Sequence, residues 1–99
     1  MQITEQREND VITISIEGRV DTNTSPQLQE AILKSFQKVN QVILDFGNCV
    51  YVSSAGLRAL LIGQKTANSK KGTMKLIQVP EILMSVLKVS GFINILTIE

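Results

Sequence analysis

Between Gln41 and Leu61 the chain passes from a short apolar segment to leucines at helical spacing through a link rich in Gly, Asn and Ser. No other stretch restricts the fold so tightly. Gln41-Val42-Ile43-Leu44-Asp45-Phe46 is rich in β-branched and aliphatic residues and is bounded by Gly47-Asn48, which reads as a buried strand. Leu57, Leu60 and Leu61 then mark a helix, with Ser53 and Ser54 just ahead as candidate N-cap residues. Ser54 is thus expected at, or within one residue of, a helix N-terminus. There the unpaired N–H groups and the helix dipole favour an anion by about 0.3–1 kcal/mol, so a phosphate on Ser54 is compatible with the fold. Taken alone, two serines before a helix need be no more than a cap.

The remaining elements follow from periodicity. A first strand near residues 2–7 and a turn at Glu8-Asn9-Asp10 precede Ile12, Ile14 and Ile16, which alternate with Thr13 and Ser15. Such alternation implies a sheet covered on one side only. Thr24 or Ser25 is the expected cap of the first helix, with Pro26 in its first turn and Gln27 closing a capping box with Thr24. Leu28, Ala31, Ile32, Ser35, Phe36 and Val39 trace the inner face of that helix, which is expected to end near Asn40. After Lys70-Lys71-Gly72 comes a strand over Met74–Val79. Pro80 then opens a third helix with Ile82, Val86 and Leu87 turned inward, Gly91 ends it, and residues 93–98 form a last strand. The order ββαβαβαβ predicts an α/β domain with helices packed on one face of a mixed sheet. The order of strands within the sheet does not follow from the pattern.

Composition narrows the chemistry. At 99 residues the chain is long enough for one core and too short for two, and 43% hydrophobic residues exclude a disordered chain. A net charge of +1 with mixed signs provides neither a nucleic-acid footprint nor a polybasic membrane patch. Residues 1–6 lack the character of a signal peptide and no apolar run approaches a membrane span, so a cytoplasmic protein is expected. With no histidine, Ser-His-Asp and Cys-His catalysis and the His-based metal motifs are unavailable. The lone cysteine, Cys49, reads as a small apolar filler. Neither a Gly-x-x-x-x-Gly-Lys phosphate loop nor a Gly-x-Gly-x-x-Gly fingerprint occurs, so no nucleotide cofactor and no metal are expected. Any phosphate must come from a partner.

The turn Val52-Ser53-Ser54-Ala55-Gly56-Leu57-Arg58 resembles the signature of STAS domains, the family of bacterial anti-sigma factor antagonists. Glu17-Gly18-Arg19-Val20-Asp21 with Thr24-Ser25-Pro26 looks like the family's Gly-x-Leu-Asp segment, and Val89-Ser90-Gly91-Phe92 like its late Ser-Gly-Leu turn. The resemblance spans nearly the whole chain and implies one STAS domain over residues 1–99. Aligned on Gly56-Leu57, the family's phosphoserine falls on Ser54. Ser53 stands where many phosphorylated members carry Asp, which leaves less negative charge beside the acceptor. The partners implied are an anti-sigma factor with serine kinase activity and a phosphatase that acts on the phosphoserine. STAS domains also serve as stand-alone components of lipid-transport ATP-binding-cassette systems and of stress-sensing assemblies, which is the alternative. A catalytic role is not expected.

The resemblance implies that the turn and the helix after it meet the anti-sigma factor, which makes Asp21, Ser53, Ser54, Ala55, Gly56, Arg58 and Ile62 the candidate partner-binding residues. On the second helix Leu57, Leu60, Leu61 and Ala67 share the core-facing arc, while Ala55, Ala59 and Ile62 are expected on the opposite side near Arg58 and Lys65, with Ile62 exposed. Asp21 is expected to end the second strand close to Ser54, or to serve only as a turn residue. Asp45 could be a second local acid or simply point to the uncovered face.

Overall fold

A computed structural model describes all residues, Met1–Glu99. In chain order the elements are β1 (Gln2–Glu8), β2 (Val11–Val20), α1 (Ser25–Phe36), β3 (Gln41–Val52), α2 (Ser54–Lys70), β4 (Thr73–Ile77), α3 (Glu81–Ser90), a 3₁₀ turn over Phe92–Asn94 and β5 (Thr97–Ile98). The strands form one sheet in sequential order, β1-β2-β3-β4-β5. β1 and β2 pair antiparallel and every later pair is parallel. A tight turn suffices for the antiparallel pair, and Asn9 supplies it with φ +57°. Parallel neighbours need a crossover, and α1, α2 and α3 provide them.

Alternation along the strands sets the layers. Ile12, Ile14, Ile16, Val42, Leu44, Phe46, Met74 and Leu76 are buried, and they join Leu28, Ile32, Phe36, Leu57, Leu60, Leu83 and Leu87 from the helices in a single core. The intervening Thr13, Ser15, Asp45 and Lys75 remain partly exposed on the opposite face. The expected α/β order and the mixed sheet covered on one side are both present.

Several local expectations are corrected. β3 does not stop at Gly47-Asn48: the strand continues to Val52, with irregular register against β2 between Ser15 and Glu17. A bulge absorbs the Gly-Asn pair without ending the ladder. α1 ends at Phe36, earlier than Asn40, and Thr24 makes no side-chain cap bond. Thr24 Oγ1 instead accepts the Asp21 N–H at 2.8 Å and lies 3.0 Å from the Arg19 carbonyl. The hydroxyl is thereby turned toward the strand end, and no capping box with Gln27 forms. β4 is shorter than Met74–Val79, and the last strand shrinks to two residues because Phe92–Asn94 takes a 3₁₀ turn. Gly91 does end α3, in the left-handed region at φ +81°, where a residue without Cβ fits.

The inward face of α3 is also different from expectation. Leu83 and Leu87 are buried, whereas Ile82 is 78% and Val86 39% exposed. The apolar sector of this helix runs from Val89 and Ile82 through Leu83 and Leu87 to Met84 and is wider than the face the sheet covers, so hydrophobicity alone does not single out the inner residues. On α2 the buried arc is wider than the leucines suggest and takes in Gly56, Ala59, Gly63 and Gln64. This helix packs on the sheet and on α1 together. At Gly63 a Cβ would come within 2.9 Å of both Ile32 of α1 and Met74 of β4.

Candidate functional site at the start of the second helix

Val20 and Val52 are paired across β2 and β3, and both strands end there, side by side, at the carboxyl edge of the parallel sheet. Open α/β sheets place their functional groups at this edge. The Ser53 N–H continues the ladder by one more bond, donating to the Val20 carbonyl at 2.8 Å. Asp21 is the next residue after Val20, so it and the Ser53-Ser54 turn are neighbours fixed by backbone geometry.

Ser53 and Ser54 divide the work. Ser53 is the N-cap in extended conformation, φ −80° and ψ 174°, and its side chain accepts the Gly56 N–H at 3.2 Å. Its carbonyl accepts the Leu57 N–H at 2.9 Å, the first bond of the helix. Ser54 is the first helical residue and is exposed. Its amide and that of Ala55 lie in the first turn, where an α-helix has no carbonyl to offer them. The expectation that Ser54 lies within one residue of the helix start is met, and its hydroxyl is not needed for the cap.

Gly56 lets this turn sit so close to the sheet. A Cβ at that position would lie 2.7 Å from Val52 Cγ1 and 2.8 Å from Val20 Cγ1, so any side chain would push the helix start away from both strands. Gly56 is therefore a spacing residue and is itself buried.

Asp21 anchors the adjoining loop. Its Oδ1 accepts the Asn23 N–H at 2.9 Å and the Thr24 N–H at 3.0 Å. The Thr24 backbone bond is the main cause that holds the carboxyl below its usual 3.8, with Asn23, the Thr24 hydroxyl and the Arg19 charge acting in the same direction against partial burial. Asp45 lies elsewhere, on the uncovered face, with Oδ1 accepting the Gly47 N–H at 2.8 Å. It is not a second acid at the turn.

Arg58 is exposed and one helical turn beyond Ser54. Ala55 and Ile62 are half-buried and Ala59 is 2% exposed. The expected outward placement of Ala59 is thus wrong, and Ile62 is only partly open. Ala59 adjoins Gly63 on the side of α2 that faces α1, which widens the covered arc beyond the leucine stripe. Two features near the turn were not visible in the sequence pattern. Arg19 stacks on Tyr51, its guanidinium 4.3 Å from the ring centroid, and the end of β3 borders an apolar groove of about 400 Å³ closed on its far side by Pro80, Ile82, Leu83 and Val86 of the α3 region. Arg19 and Tyr51 face each other in the β2–β3 register, a pairing that depends on the bulges. Cys49 is buried, and burial pushes its thiol above the usual 9.0, which fits a packing role.

The site is thus an exposed hydroxyl at a helix N-terminus, beside an acidic turn at the carboxyl edge of a sheet covered on one side. The model of the family described as "Mlab, STAS domain" matches residues 3–97. The chain belongs to the STAS domain family. A protein assigned as the anti-sigma factor antagonist BtrV of Bordetella bronchiseptica is 28% identical over 96 residues, covering 96% of this chain and 83% of that protein. Among solved structures, an assigned anti-sigma factor antagonist of Thermotoga maritima superposes with a TM-score of 0.89 at 15% identity, covering 97% of this chain and 84% of that one. The phosphorylated form of the Bacillus cell fate determinant SpoIIAA gives 0.78 at 18% identity, covering 99% and 91%. These structural likenesses establish the STAS fold. No helix is long and apolar enough to cross a membrane.

Proposed function

We propose that the protein is an anti-sigma factor antagonist that acts in the cytoplasm as a phosphorylation-controlled binding switch. The unmodified protein holds an anti-sigma factor with serine kinase activity and so frees a sigma factor, and phosphate on Ser54 ends that complex until a phosphatase removes it. The observation that carries the reading is the division between the two serines: Ser53 makes the cap, while Ser54 is exposed at the first helical position. A phosphate there adds about −1.5 to −2 charges and three acceptor oxygens. The helix N-terminus compensates part of that charge in the free domain. Inside a close interface the same group must lose water beside a surface that fitted a hydroxyl.

Under this reading Asp21, Ser53, Ser54, Ala55, Gly56, Arg58 and Ile62 form or shape the contact surface. Ser54 and Arg58 are its exposed members, Gly56 sets the height of the turn, and Ala55 and Ile62 give partial apolar contact. The protein is the kinase's substrate and does no chemistry of its own. The assignment of BtrV as an antagonist supports this reading. A second reading, a scaffold or a subunit of a lipid-transport system or stress-sensing assembly without phosphorylation, is supported by Ser53 in place of the common Asp.

Incubation with ATP and an anti-sigma serine kinase from the same organism, followed by mapping of the phosphorylated residue, separates the two. Phosphate on Ser54 is expected. Phosphate on Ser53 alone, or none while the protein copurifies with a permease and its ATPase, favours the transport reading.

A further inference from the structure

The outer face of α3 is more apolar than the fold requires. Ile82, Val86 and Val89 recur at the spacing that lines one stripe of a helix, and Ile82 and Val89 are 78% and 91% exposed. Val50 and Tyr51, at the end of β3, continue the patch across the groove, at 70% and 43%. Leu83 and Leu87 already fasten α3 to the core, so the outer stripe contributes little to the isolated domain. Single exposed apolar residues are ordinary, whereas a contiguous patch marks an interface.

The charges beside the stripe select the occupant. At 100° per residue Glu81 and Lys88 fall on the same flank of the stripe, two turns apart, one near each end of α3. If this helix meets a copy of itself antiparallel across a two-fold axis, equal flanks meet with their direction reversed. Glu81 of each copy then lies beside Lys88 of the other. A parallel alignment would place the charged flanks on opposite sides and lose both pairs. Ser85, small and exposed, lies between the apolar stripe and the charged flank and points directly away from the buried Leu83 and Leu87, so a two-fold passing at Ser85 brings the backbones together with apolar against apolar on one side and charge against charge on the other. Self-complementarity of this kind is what an isologous contact needs.

We propose that the chain forms a homodimer through antiparallel pairing of its α3 helices, with Ser85 at the centre, Ile82 and Val89 in apolar contact along one side and reciprocal Glu81–Lys88 pairs along the other. α3 has only 10 residues, so the interface is smaller than a standard one and the dimer is reversible. The proposal is independent of phosphorylation at Ser54.

Sedimentation equilibrium of the purified chain from low to high micromolar concentration tests it. The average mass is expected to rise toward twice that of the monomer. Ile82→Lys should remain monomeric throughout with an unchanged circular dichroism spectrum. Lys88→Glu should weaken self-association by about tenfold, because two attractive pairs become repulsive, and adding Glu81→Lys to it should restore the wild-type constant. A wild-type chain that stays monomeric overturns the proposal, as does a dimer indifferent to these changes. So does a monomer that needs Ile82 for binding the anti-sigma partner, since the stripe would then belong to a heterologous interface.

Discussion

Gly56 rests directly against Val20, so near that a Cβ on the glycine would come within 2.8 Å of Val20 Cγ1. This contact, with the bond from the Ser53 amide to the Val20 carbonyl, fixes the start of α2 to the ends of two strands and puts Ser54 at the surface beside the Asp21 loop.

Gly56→Ala should therefore lower stability by about 1–3 kcal/mol, the usual cost of overpacking a closed contact. Urea unfolding followed by circular dichroism measures it. A variant as stable as wild type would show that the helix start yields easily, and that the close packing does not hold Ser54 in place.

The two serines should separate in the same assay. Ser53→Ala removes the side chain that accepts the Gly56 N–H and should cost about 1 kcal/mol, whereas Ser53→Asp retains an acceptor and should cost little. Ser54→Ala should leave stability within about 0.5 kcal/mol of wild type, as for a surface change. Equal losses at both positions would mean that the cap is shared.

Ser54 could be placed from sequence because a cap and a helical repeat are local signals, and both survived into the structure. Ile12, Ile14 and Ile16 likewise gave the covered face of β2, since alternation is a property of the strand alone. Sheet order, the bulge after Phe46 and the stacking of Arg19 on Tyr51 depend on which strands meet and in what register, which no local pattern encodes. Ala59 was misplaced because α2 is covered by α1 as well as by the sheet, and Ile82 and Val86 because the apolar sector of α3 is wider than its covered face.

Asp21 gives a pH signature. Its folded-state value lies below 3.8, chiefly through the Thr24 N–H, so the stability it contributes is complete above the unfolded value and fades as pH falls through the folded one. Asp21→Asn should thus be less stable than wild type at neutral pH, and the difference should close in acid below 3.8. Unfolding curves across the acid range check this. A gap that persists at the lowest pH would assign the loss to the asparagine's altered contacts rather than to charge.

Arg58→Ala should leave the fold intact, since Arg58 is exposed, and weaken partner binding by about tenfold, the effect of truncating an interface arginine worth 1–2 kcal/mol. Ile62→Asp should also weaken binding, but Ile62 is half-buried and a moderate loss of melting temperature should accompany it. Binding calorimetry with the anti-sigma partner, paired with thermal melts, distinguishes the two. If Arg58→Ala binds as tightly as wild type, the contact surface lies elsewhere.

The affinity of the anti-sigma kinase for the protein with and without phosphate on Ser54 tests the switch most directly. With both forms shown to be folded, calorimetry should find the phosphorylated form bound about a hundred- to a thousandfold more weakly, roughly 3–4 kcal/mol, as expected for a charge that loses water without a partner. Ser54→Asp should follow the phosphorylated form and Ser54→Ala the unmodified one, while equal affinity for the phosphorylated and unmodified proteins would contradict the switch.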